Sequence, residues 1–242
     1  MTSWRDELRV KRILVWRHGR TIWNADGRYQ GQADPPLDLV GQEQSRQAAI
    51  QLADDPAELI LTSDLLRAAA TAEALAEITG RPVKVEPRLR EVDVGCWQGL
   101  TRDEVAQRYP EQFAAWLAGR PLLDRGGETK DQLDARVRAA LREIDVEHVL
   151  LVTHGGTTRS IIDLLLDLPT ASRRWLAPLG NGHWTELQRA PNAWRLQAHN
   201  LGPAVQSASP DPRGRDDDSG DADAIEDNSA RGGANDDAGV RA

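Results

Sequence analysis

The 242-residue chain is poor in cysteine, lysine and long apolar runs, and each scarcity narrows what it can be. A single cysteine, Cys96, leaves no partner for an intrachain disulfide. No apolar run approaches the roughly 18 residues needed to cross a bilayer. Residues 1–12 are charged and lack the apolar stretch of a signal peptide. A reducing cytoplasm is therefore the expected location, with no membrane partner. Lysine occurs only as Lys11, Lys84 and Lys130, so 27 of the 30 basic residues are arginine. They form no basic stripe, and nucleic acid is not an expected partner. Aromatics are few, and Trp supplies 8 of the 11. No His/Cys/Asp cluster has metal-ligand spacing, so neither metal nor cofactor is expected.

The charge that is present is unevenly placed. The formal net charge is −8, but residues 203–242 hold ten Asp/Glu and four Arg. That leaves about −2 for residues 1–202, which read as one nearly neutral domain. The segment 203–242 has almost no large apolar residues and reads as a disordered acidic tail.

Within the domain, short apolar runs alternate with helical patterns, the mark of a three-layer α/β/α fold with a mostly parallel sheet. Strands are expected at Arg12-Ile13-Leu14-Val15-Trp16, Leu59-Ile60-Leu61-Thr62, Val83-Lys84-Val85 and Val149-Leu150-Leu151-Val152-Thr153. Ser63-Asp64 carries an N-cap signal for a helix running to about Ile78, stopped by Gly80 and Pro82. Further helices are expected over 128–145 and 158–166, and a closing hairpin over 184–187 and 194–197.

Three polar clusters follow expected strands: Arg17-His18-Gly19, Ser63-Asp64 with Arg67, and His154-Gly155-Gly156. Ligands of open α/β sheets bind in the crevice beyond the strand ends. Alone, each cluster has an ordinary reading: a satisfied histidine, a salt-bridge arginine, a glycine turn. Together they place two histidines and two arginines where a phosphate group fits, since the guanidinium fork matches phosphate oxygens.

The chain resembles the histidine phosphatase superfamily, with its phosphoglycerate mutase-like fold. The resemblance is carried by Leu14-Val15-Trp16-Arg17-His18-Gly19-Arg20-Thr21, Trp23-Asn24 and Gln30-Gly31. It continues through Thr62-Ser63-Asp64-Leu65-Leu66-Arg67-Ala68 and Leu89-Arg90-Glu91-Val92-Asp93-Val94-Gly95-Cys96-Trp97-Gln98-Gly99. It ends in Gly126-Gly127-Glu128-Thr129 and Leu151-Val152-Thr153-His154-Gly155-Gly156, spanning about residues 10–200.

The resemblance implies that His18 is a nucleophile and that Arg17, Arg67 and His154 hold the phosphate. It places Asn24, Gln30, Gly31 and Gly155 on the phosphate pocket, and makes Glu91 the acid that protonates the departing oxygen. Asp93 is the rival acid. Members of the family are often dimers, so a homodimer is an expectation. The implied activity is metal-free hydrolysis of a small phosphomonoester through a phosphohistidine.

Three other readings compete with this one. Cys96 and Arg102 satisfy the C-x5-R spacing of cysteine-dependent phosphatases. No convincing strand precedes Cys96, and Asp103 follows Arg102 where Ser or Thr is expected, so Cys96 reads as a packed small residue. A cofactor-dependent phosphoglycerate mutase would carry an adjacent arginine pair between acid and second histidine. Here Glu91 and His154 are 63 positions apart, and Arg102, Arg108, Arg120 and Arg125 stand singly. Arg173-Arg174 is adjacent but follows His154, on an expected helix surface. A non-catalytic phosphate-binding scaffold would have lost one of His18, Arg67, Glu91 or His154, and all are present. Gly180-Asn181-Gly182-His183-Trp184-Thr185-Glu186-Leu187 and Trp194-Arg195-Leu196 are similar to bacterial glucosyl-3-phosphoglycerate phosphatases, while other sugar phosphates stay open. Phe113, Trp116 and Arg120 are candidates either for touching a leaving group or for packing a helix.

Overall fold

A computed structural model describes residues 3–120, 122, 124–169 and 176–203. The expected tail and Arg173-Arg174 lie outside the described residues. A six-stranded sheet forms the centre, built from β1 (Arg12–Arg17), β2 (Leu59–Thr62), β3 (Val83–Val85), β4 (His148–Thr153), β5 (Trp184–Ala190) and β6 (Ala193–Leu201). Their order is β3-β2-β4-β1-β5-β6. The first four are mutually parallel, β5 runs antiparallel to β1, and β6 antiparallel to β5.

Successive side chains of a strand point to opposite faces, and here both faces are covered. Leu14 and Trp16 of β1, with Leu150 and Val152 of β4, pack against α2 (Leu39–Leu52) and α3 (Leu66–Thr79), the helices that follow the single turn α1 (Ile22–Ala25). Ile13 and Val15, with Val149 and Leu151, pack against α6 (Lys130–Arg142) and α7 (Gly155–Leu166). The result is a three-layer α/β/α fold. A third, smaller cluster of Tyr29, Val94, Trp97, Val105 and Trp116 lies under α4 (Arg102–Arg108) and α5 (Pro110–Leu117). Trp116 is therefore a packing residue, and its ring meets Tyr29 and Trp97 edge-on. The chain breaks between α4 and α5 because Tyr109 precedes a proline and leaves the helical region. No described helix is long and apolar enough to cross a membrane.

Three boundaries differ from expectation, each for a local reason. The third helix starts at Leu66, with Leu65 rather than Ser63 or Asp64 at the N-cap and no side-chain cap of its own. Asp34 supplies the cap from elsewhere, its Oδ1 accepting the Leu66 N–H at 2.7 Å. Ser63 and Asp64 are engaged with His154 and Arg90 instead. Gly126 and Gly127 are both left-handed, so the sixth helix waits for the Thr129–Gln132 capping box and runs Lys130–Arg142. The seventh helix begins three residues early, at Gly155, because the extended His154 takes the N-cap position.

Trp16 is fully buried in the centre of the sheet, and its Nε1 donates to the Gly182 carbonyl at 3.1 Å. Replacing it by alanine leaves a large cavity and an orphaned carbonyl. Trp16→Ala is expected to lose about 3–5 kcal/mol of unfolding free energy, read from the urea midpoint. A loss below 1 kcal/mol, on the order of an exposed substitution, would contradict the packing described.

Candidate active site

Inserting β4 between β1 and β2 brings three strand ends side by side. Arg17 pairs with Thr153, and Thr62 with Val152, so the residues just beyond them emerge together. His18 N–H donates to Thr153 O at 3.0 Å, and Ser63 N–H to Val152 O at 3.0 Å. The loop after β1 is held by close backbone approach. A Cβ on Gly19 would meet Gly41 O at 2.2 Å, and one on Gly41 would meet Arg20 O at 1.9 Å. Thr71 Oγ1 accepts the Gly19 N–H at 3.1 Å and ties the loop to α3.

His18 is buried, and its Nδ1 lies 2.7 Å from Gly19 O. A carbonyl only accepts, so Nδ1 carries the proton and Nε2 keeps its lone pair, turned toward Arg67. Arg67 Nε donates to that Nε2 at 3.3 Å. Burial, and then the charges of Arg67 and Arg17, hold the His18 pKa well below its ordinary 6.5.

Arg67, the second residue of α3, is completely buried. Its fork is pinned by Ala33 O at 2.7 Å and Gly31 O at 2.8 Å. Burial pushes its pKa down to about 10, opposed by Glu91 and Asp34. Arg17 is also buried, and its guanidinium donates to Leu179 O.

His154 completes the group, with its ring centroid 5.1 Å from that of His18. Its Nε2 lies 2.9 Å from Ser63 Oγ. Burial, then Arg67, His18 and Arg17, hold its pKa well below 6.5.

Glu91 sits against the start of α7. Its Oε2 accepts the Gly156 N–H at 3.0 Å, and its Oε1 those of Thr157 at 3.1 Å and Val92 at 2.8 Å. The positive end of a helix is a natural seat for a carboxylate. Behind it, Arg136 donates to Glu91 O at 3.0 Å while gripping the Glu128 carboxylate through two nitrogens. The neighbouring Arg90 clamps Asp64 in a bidentate pair, joining the Glu91 and Ser63 loops. Asp93, the rival acid, faces the loop at Gly127 instead, with Oδ1 accepting Gly95 N–H at 2.9 Å.

The chain is similar to proteins of known character. The family model described as histidine phosphatase superfamily (branch 1) matches residues 13–202. The chain belongs to that superfamily. It is 36% identical over 220 residues to the glucosyl-3-phosphoglycerate phosphatase of Mycobacterium tuberculosis, covering 83% of this chain and 99% of that protein. It is 33% identical over 209 residues to the metal-independent phosphoserine phosphatase of Arabidopsis thaliana, covering 81% of this chain and 88% of that one. A solved mycobacterial glucosyl-3-phosphoglycerate phosphatase, complexed with VO3, superposes with a TM-score of 0.73 at 35% identity, covering 80% of this chain and 100% of that one.

Of the residues singled out in the sequence, Arg17, His18, Arg67 and His154 form one buried cluster, with Glu91 close enough to act on Arg67. Asn24 and Gln30 sit at its margin, both within 3.0 Å of the Thr21 hydroxyl. Gly31 presents its carbonyl to Arg67, so it holds the arginine. Gly155 takes the first position of α7, among the N–H groups that a helix leaves unpaired.

Cys96 is exposed on a short 3-10 turn rather than packed, with its sulfur 3.8 Å from Gln112 Oε1. Arg102 stacks over Phe113 and Trp116, committed to those rings. Residues missed in the sequence include Asn181, whose Nδ2 donates to His18 O at 3.1 Å. Its signal was the Gly180-Asn181-Gly182 turn, read for kinship and not for contact. Asp34 and Arg136 carried no local signal.

Both buried imidazoles bind a proton less readily in the folded protein than in the unfolded chain. Their contribution to stability is intact above 6.5 and falls as pH drops below it. Nitrogen-15 NMR of the rings is expected to find both titrating below 6.5, the ordinary value. A His18 midpoint at or above it contradicts the account of a desolvated, cation-flanked ring.

Proposed function

We infer that this chain is a phosphomonoester hydrolase that works through a phosphohistidine on His18 Nε2, without a metal. The observation that carries the reading is the pinned His18 ring, neutral with its Nε2 lone pair facing Arg67, beside two buried guanidinium groups. Neutral imidazole is a strong nucleophile, and attack splits a difficult hydrolysis into two easier steps.

In the first step the Nε2 lone pair forms a bond to phosphorus while the ester P–O bond breaks. Arg17, Arg67 and His154 stabilise the charge on the transferred group, and Glu91, entering the step as the carboxylic acid, gives its proton to the departing oxygen and is left as the carboxylate. In the second step Glu91 takes a proton from water, the water oxygen attacks phosphorus, and the P–N bond breaks. Inorganic phosphate leaves, and His18 is neutral again. A pocket lined by guanidinium groups repels a divalent cation and performs its charge-neutralising task.

Kinship supports a small phosphorylated metabolite as substrate, with glucosyl-3-phosphoglycerate the first to test and phosphoserine the second. A cytoplasmic location is part of the same reading. The catalytic unit is residues 1–202, in keeping with the end of the family match, so truncation after residue 202 is expected to leave turnover unchanged.

The test is a phosphomonoester panel assayed in EDTA with three chains: wild type, His18→Ala and Glu91→Gln. Wild-type turnover is expected to survive EDTA. His18→Ala is expected to lose about 10⁴-fold or more in kcat. Glu91→Gln is expected to lose about 10²- to 10⁴-fold, least for substrates with good leaving groups. Activity abolished by EDTA or retained in His18→Ala sinks the mechanism, and phosphoryl transfer to 3-phosphoglycerate in place of water makes the chain a mutase.

A further inference from the structure

Ser63 has no part in the mechanism above, yet it is completely buried and touches one of its central groups. Its backbone N–H bonds Val152 O, which fixes it at the end of β2 beside β4. Its hydroxyl oxygen accepts the Leu65 N–H at 3.3 Å and lies 2.9 Å from His154 Nε2. A hydroxyl has one proton and two lone pairs. With Leu65 on one lone pair, Nε2 is the acceptor available to the proton among the described residues. Were the ring to donate instead, the hydroxyl proton would be buried without a partner, an expensive arrangement.

A neutral His154 that accepts at Nε2 carries its own proton on Nδ1. That atom is buried and has no hydrogen-bond partner among the described residues. A phosphoryl group seated at His18, whose ring centre is 5.1 Å away, brings an oxygen that can fill the role.

We propose that Ser63 is a positioning residue that holds His154 as its Nδ1–H tautomer, so that the neutral ring presents a donor to the transferring phosphoryl group. The opposite tautomer would turn a lone pair toward an anionic oxygen. Because the donor is set beforehand, no proton has to be drawn from solvent or substrate. The proposal rests on the reading that the phosphoryl group is held at His18.

The test is a long-range proton–nitrogen-15 correlation on the histidine-labelled full chain at neutral pH, which reports which ring nitrogen carries the proton. Wild-type His154 is expected to be protonated on Nδ1 alone. Ser63→Ala is expected to shift His154 toward the Nε2–H form, leave the His18 tautomer unchanged, and lower kcat/KM by about 10- to 100-fold, as loss of an orienting partner does. Ser63→Thr restores the hydroxyl and is expected to restore the Nδ1–H form.

Wild-type His154 protonated on Nε2 overturns the proposal whether or not any variant folds. An unchanged tautomer or an unchanged rate in Ser63→Ala overturns it as well. Failure of the phosphohistidine reading is separate: it shows as turnover in His18→Ala, whatever the His154 tautomer.

Discussion

Positive charge packed into a dry space repels itself, and the site at the ends of β1, β2 and β4 is built around that constraint. Arg17, Arg67, His18 and His154 are all buried within one cluster. The protein relieves the repulsion in two ways. It keeps both imidazoles neutral, and it surrounds the Arg67 fork with the Gly31 and Ala33 carbonyls and the His18 lone pair. On the proposed function the remaining charge is complemented by a doubly charged phosphate, whose oxygens match the guanidinium geometry. Burial, and after it the repulsion from Arg67 and Arg17, keeps the second proton off His18, which the proposed mechanism needs of a nucleophile.

The sheet makes this crowding possible. Because β4 lies between β1 and β2, the two histidines follow adjoining parallel strands in matching register. Rigid strands lead directly into His18, Ser63 and His154, and α7 begins just after the last of them. Close approach of Gly19 to Gly41 and the Thr71 hydroxyl then fix the His18 turn from the side of α2 and α3. Glu91 comes from a different stretch, the loop between β3 and α4, and is fastened by the first N–H groups of α7 and by Arg136.

Much of this was legible in the sequence where burial dominates. The apolar runs of β1, β2 and β4 are buried on both faces and read plainly as strands. The histidines and arginines at their ends were visible because they interrupt such runs. The second helix was not, because its buried face is Gly41, Gln44, Ser45, Ala48, Ala49 and Leu52, small or polar residues that carry little hydrophobic period. The start of the third helix was misplaced because its cap comes from Asp34, distant in sequence, while Ser63 answers to His154. Local patterns report local partners. The contacts of Asn181, Arg136 and Ser63 are made across the fold, and no spacing announces them.

The proposed mechanism requires that phosphorus become bonded to His18 Nε2. It is tested most directly by acid-free rapid quench of the full chain during turnover, followed by phosphorus-31 NMR and peptide mapping. The account predicts one acid-labile, base-stable phosphoryl group on His18 at Nε2, formed and consumed at the rate of turnover. A phosphoryl group on Cys96 or another residue, or turnover with no phosphoenzyme and direct inversion at phosphorus, would contradict it.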